Sequence, residues 1–233
     1  MSHGTIFLLG GINDVWVVGH AWRRFLTASG LPHTIELIRW QQGLWATLTF
    51  ADLWRTAHHR TTAAALAQRI RQTQAAKPGE PIHILAHSAG TAIAAYALEQ
   101  LAPEAAITSA VFVGSGLSPH YELSAALQRT NFGILSVESW LDTFFLGIGT
   151  SLLGSADRRW GPAAGMVGFR TSSEKLHRTR WTPRFVRQGW LGGHITIAAP
   201  GFVRETLATW IRQAEESEMS GNGLRAKIQA SMG

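Results

Sequence analysis

The sequence predicts an α/β protein built on a mostly parallel sheet of about six strands, with helices on both faces. Three observations predict it. Short, nearly continuous apolar runs recur along the chain, segments of helical periodicity lie between them, and one run leads straight into a serine flanked by small residues. The runs are Thr5–Leu9, Thr34–Ile38, Ile82–Leu85, Ala110–Val113, Gly133–Val137 and Phe185–Trp190. Runs this short and bounded by Gly or Pro suit strands buried on both faces. Strands alternating with helices imply right-handed crossovers and parallel pairing.

The helical segments follow from spacing. Thr61–Ala75 places Ala64, Leu66, Ala67 and Ile70 at helical intervals and ends before Lys77-Pro78-Gly79. Ala89–Leu101 is rich in Ala and Leu and stops before Pro103, while Phe202–Ala214 sets Val203, Leu207, Trp210 and Ile211 on one face. No linker or repeat divides the chain, so residues 1–214 read as one domain. Residues 215–233 are polar and Gly-containing, and read as a frayed or disordered tail.

Composition narrows the function. Hydrophobic residues make up 45% and charged residues 15% of 233, which is globular rather than disordered. With 0 cysteines, disulfides, thiolate zinc sites and cysteine nucleophiles are excluded. No apolar stretch reaches the length of a membrane span, and the N-terminus lacks the basic start and cleavage site of a secretory signal, so the expected location is cytoplasmic. The net charge of +6 is concentrated around Arg170, Lys175, Arg178, Arg180, Arg184 and Arg187. That stretch has no nucleic-acid module pattern, so no nucleic-acid partner is expected; a solvated basic face or contact with an anionic membrane surface fits it.

The most informative segment is Pro81-Ile82-His83-Ile84-Leu85-Ala86-His87-Ser88-Ala89-Gly90-Thr91-Ala92. A buried strand enters a sharp turn and leaves as a helix. Such a nucleophile elbow requires tiny residues two before and two after the serine, and Ala86 and Gly90 meet that demand. Ala86 departs from the G-x-S-x-G pattern by one methyl. The turn would lift the Ser88 hydroxyl above the sheet, with a helix N-terminus behind it. An ordinary strand-to-helix turn with a serine cap is the alternative. His87 is expected to point away from the chemistry.

On these residues the chain resembles the α/β-hydrolase family across nearly its whole length. The resemblance implies a triad in the order serine, acid, histidine, each on a loop after a strand. It selects His194, which follows Gly192-Gly193 and precedes the last helix, over His177 in a basic stretch, His58 and His59 in a polar run, and the early His20 and His120. The acid should follow Gly133–Val137. Asp142, in Ser139-Trp140-Leu141-Asp142, is preferred to Glu138, which sits too close to the strand, and to Asp157, which is expected to pair with an arginine.

The same resemblance places the oxyanion hole at the amides of Ala89 and Ile12, with Gly11 as the alternative to Ile12. Of the 10 tryptophans most are expected in packing, but Trp45 and, beyond Asp142, Phe145 are candidate walls of an acyl pocket. The expected activity is cleavage of a small-molecule carboxylic ester or lipid through an acyl-enzyme on Ser88. Thioester cleavage or acyl transfer uses the same machinery, and a non-catalytic binding scaffold is the rival. No metal or organic cofactor is called for.

Overall fold

A computed structural model describes residues 4–12, 18–41 and 55–231, with side chains described as far as residue 220. Six strands form one sheet in the order β2-β1-β3-β4-β5-β6. They are β1 (Thr5–Leu9), β2 (Thr34–Ile38), β3 (Ile82–His87), β4 (Ile107–Val113), β5 (Thr130–Glu138) and β6 (Leu176–Arg180). Every neighbouring pair is parallel.

Parallel strands need crossovers, and helices supply them on both faces. They are α1 (Val18–Ala28), α2 (Thr56–Ala76), α3 (Gly90–Glu99), α4 (Ser124–Gln128), α5 (Thr150–Leu153), α6 (Ala164–Val167), α7 (Pro200–Phe202) and α8 (Ala208–Ser231). Successive strand residues point to opposite faces, which splits the core in two. Phe7, Leu9, Ile84 and Phe112 pack with Leu66 and Ile70 of α2 and Ile93 of α3. Ile6, Leu8, Leu85 and Val111 pack with Trp22 of α1, Phe202 and Ile211. The strand order reverses between β1 and β3, so the crevice beyond their C-terminal ends is where a doubly wound sheet takes its ligands.

Two expectations about the sheet need correction. Phe185–Trp190 is not a strand: Pro183–Gln188 is a 3-10 helix closed by Gly189 at φ 82. Pro183 at its start has no N–H to give a ladder and a φ suited to a helical turn. The sixth strand is Leu176–Arg180, hidden in the sequence because only Leu176 is buried and the other side chains are partly or fully exposed. Charge on an edge strand is ordinary protection against pairing with another chain.

The last helix does not end at Ala214 but continues to Ser231. Polar residues there are held to the sheet. The Glu218 carboxylate accepts hydrogen bonds from Thr108 Oγ1 at 2.8 Å and Asn131 Nδ2 at 2.5 Å. His59, expected at the surface, is buried with its ring edge-on to Trp40 at 5.2 Å.

Candidate active site

Ser88 follows the last residue of β3 with φ 54, the left-handed region that a residue with a side chain rarely adopts. Holding it there costs on the order of 1–3 kcal/mol, so the surroundings must enforce it. Ser88 N–H donates to Val113 O at 3.0 Å, tying the turn to the end of β4. Its carbonyl accepts from Thr91 N at 3.1 Å, Gly116 N at 3.0 Å and Thr91 Oγ1 at 2.6 Å. Gly90 is required by contact: a Cβ there would lie 2.4 Å from Gly10 O. Ala86, fully buried, carries its extra methyl within the core.

The turn brings three distant side chains together. His194 Nε2 lies 2.9 Å from Ser88 Oγ, and His194 Nδ1 lies 2.5 Å from Asp142 Oδ2. Asp142 is 5% exposed and follows β5, at the start of a π-helical turn over Thr143–Gly149. Ser139, which sequence reasoning treated only as part of the acid's motif, fixes the acid loop to the histidine loop. Its hydroxyl donates to Gly192 O at 2.6 Å and accepts from Leu141 N at 3.3 Å, while Asp142 N–H donates to Ser139 O at 3.1 Å.

The competing acids are used elsewhere. Asp157 accepts from Ser118 N, Ser118 Oγ and Ser155 Oγ at 2.7, 2.6 and 2.7 Å, not from an arginine as expected. Glu138 is buried and takes Arg180 Nε at 3.1 Å and Ser136 Oγ at 3.1 Å. His177 stacks on Phe132 at 5.5 Å.

His87 does not point away: its ring centroid is 4.5 Å from that of His194. Burial, helped by the neighbouring His194, pushes its pKa well below the ordinary value, so it stays neutral. A neutral neighbour does not oppose positive charge arriving on His194. Phe145, about half exposed, also stacks on His194, at 4.8 Å and 23°.

Gly11 abuts the serine, since a Cβ on it would meet Ser88 Cβ at 2.9 Å and Ser88 Oγ at 3.4 Å. The loop is pinned from behind. Trp40 Nε1 donates to Gly10 O at 2.9 Å and Gln41 Nε2 to Gly11 O at 2.7 Å. Ile12 next to it is partly buried against the core, and Ala89 is buried at the entry to α3. Trp45, the other candidate pocket wall, lies outside the described residues. A cavity of about 10 Å³ lies behind His194, lined by His87, Asp142 and Trp190, and is too small for a substrate. A larger cavity of about 510 Å³ is remote from Ser88, lined by Glu80, Ile82, Thr108, Lys175 and Glu218 at the other end of the sheet.

A sequence model of the alpha/beta hydrolase fold matches residues 38–191. No curated protein sequence matches. Similar solved structures include a cutinase-like protein from Cryptococcus sp., 16% identical with a TM-score of 0.47, covering 88% of this chain and 91% of its own. A cutinase from Trichoderma reesei is 13% identical with a TM-score of 0.46 and coverages of 91% and 76%. The RedJ thioesterase of Streptomyces coelicolor is also 13% identical, at 0.46, with coverages of 91% and 86%. None of these likenesses bears on substrate. The match over more than half of its length is what places the protein: the chain belongs to the α/β-hydrolase fold family.

Proposed function

We propose that the protein is a serine hydrolase acting on carboxylic esters, its chemistry carried by a single domain. The observation that carries this reading is the Ser88 hydroxyl on a left-handed turn, 2.9 Å from an imidazole whose far nitrogen is held by buried Asp142. In the first step Ser88 Oγ attacks the ester carbonyl while His194 Nε2 takes its proton. Asp142 fixes the tautomer and stabilises the imidazolium without taking the proton. The amides of Ala89 and of Ile12, or Gly11 in its place, would hold the oxyanion. His194 then protonates the departing alcohol, and water activated by the same imidazole releases the acid. No step draws on a metal or organic cofactor.

The test is intact mass after treatment with a fluorophosphonate, on wild type and on Ser88→Ala. One adduct on wild type and none on the variant is expected. A folded wild type that takes no adduct would favour a binding scaffold. Comparison of oxygen esters, thioesters and acceptor alcohols then separates hydrolysis from thioester cleavage and acyl transfer.

A second reading concerns where the substrate resides. Around the mouth of the site Trp140, Phe144, Ile148 and Leu191 are 59%, 71%, 58% and 58% exposed. Apolar groups grouped this way mark a surface that meets something greasy. Arg158 and Arg159, in a turn after α5, and Arg184, in the 3-10 helix after β6, stand exposed. We infer contact with an anionic lipid surface that presents ester substrates to Ser88. Sedimentation with phosphatidylserine vesicles, but not phosphatidylcholine vesicles, is expected to capture the protein, and Phe144→Ser with Ile148→Ser should abolish capture. Equal binding to both vesicles would remove the arginines from the argument.

A further inference from the structure

The end of the sheet remote from Ser88 holds a second group of chemically able side chains. His33 precedes β2, His83 is the second residue of β3, and Glu215 lies on α8. His33 Nε2 is 2.7 Å and His83 Nε2 3.2 Å from Glu215 Oε1, and one ligand atom from each residue lies within 4.8 Å of the others. We propose that these three residues bind one divalent transition-metal ion, with zinc as the fitting case.

Geometry supports an ion over a plain hydrogen-bonded cluster. Ligands at 2.0–2.1 Å around a tetrahedral zinc lie about 3.3 Å apart; the His83–Glu215 separation of 3.2 Å matches this, and His33 Nε2, at 2.7 Å from Glu215 Oε1, would move out by about half an ångström to admit the ion. Two imidazoles and one carboxylate are a borderline donor set that suits zinc. His33 has a wholly buried side chain, its Nδ1 has no hydrogen-bond partner among the described residues, and its Nε2 faces the Glu215 carboxylate at 2.7 Å. A buried ring in that condition is poorly satisfied by a proton alone. His83 is oriented from behind: its Nδ1 is 2.8 Å from Ser109 Oγ, which also accepts from Trp210 Nε1 at 3.1 Å. Such outer partners fix which nitrogen faces a metal.

The Glu215 side chain is 23% exposed while both imidazoles are fully covered, so the ion would enter past the carboxylate and keep a water there. Bound, it would fasten α8 to β3 and to the loop entering β2. The inference stands apart from the serine-hydrolase reading, and its failure would leave that reading untouched.

The experiment is calorimetric titration of the full chain with Zn²⁺ after chelator treatment, with Co²⁺ absorption as the second readout. One equivalent is expected, with a melting temperature raised by about 5–10 °C at a hundredfold excess over Kd. Co²⁺ should give visible bands of tetrahedral nitrogen and oxygen coordination. His33→Gln and Glu215→Gln should each lose the equivalent, while His177→Gln retains it. No stoichiometric binding, octahedral Co²⁺ spectra on wild type, or an equivalent that survives both substitutions would overturn the proposal.

Discussion

Two serine–histidine–carboxylate chains lie at opposite ends of this sheet, and only one has the build that the proposed serine chemistry needs. At the C-terminal end Ser88 Oγ is 2.9 Å from His194, which is 2.5 Å from Asp142. At the other end Ser109 Oγ is 2.8 Å from His83, which is 3.2 Å from Glu215. Distances barely separate them. Backbone and access do. Ser109 is a regular strand residue, opposite His83 in the β3–β4 ladder, fully buried and already engaged by Trp210. Ser88 stands on a strained turn at a strand end, 8% exposed beside a rim of bare apolar side chains. Residue types in hydrogen-bond sequence are thus not alike; a partly exposed hydroxyl on a strained turn is what the first has and the second lacks.

Substitution breaks the comparison most sharply. Asp142→Asn should lower kcat on a p-nitrophenyl ester by about 10³–10⁴-fold, by releasing the wrong imidazole tautomer. Ser109→Ala should leave kcat within about twofold and reduce stability by roughly 1–2 kcal/mol, the cost of leaving Trp210 and His83 short of a partner. Steady-state kinetics with urea melts on both variants decide it. Similar losses of kcat would mean that the two chains are not functionally distinct.

A smaller effect sharpens it. Burial depresses the His87 pKa in the folded protein, whereas the unfolded chain protonates it near pH 6.5. Below that pH the unfolded state therefore binds more protons, so stability is full above about pH 6.5 and falls on acidification, by up to about 1.4 kcal/mol per pH unit for this one group. His87→Leu should flatten the fall in urea midpoint between pH 7.5 and 5.5. Identical slopes in variant and wild type would remove His87 from the linkage.

Much of the fold could be read from five aliphatic runs: β1, β3, β4 and most of β5 are buried on both faces and leave a continuous apolar record. By contrast β2, expected to be buried likewise, is an edge strand with no buried residue and is legible through Ile35 and Leu37, which pack against the core. The sixth strand left none: Leu-His-Arg-Thr-Arg at a sheet edge looks like loop, while Phe185–Trp190 owes its apolar character to core packing from a 3-10 turn. At the site, Ser88, Asp142 and His194 lie in hydrogen-bond sequence, in the chain order that the family resemblance implies. The neighbours were harder to read. His87 shares strand parity with Leu85, whose side chain packs in the core with Trp22, so period-two alternation already aimed it beneath the active-site loops. Ser139's bond to Gly192 spans 53 positions and has no local signature. Glu215 and Glu218 looked like solvated tail because their partners come from the start of other strands.

The span of the array has a consequence for how the protein acquires its reactivity. Ser88 and His194 are 106 positions apart, and His194 and Asp142 are 52 apart. No fragment that ends before the last loop can hold all three, and closing such long separations is the slow part of folding. If the proposed serine chemistry holds, a chain emerging from synthesis is therefore chemically silent until its final third has docked, and reactivity becomes a timestamp for completed assembly.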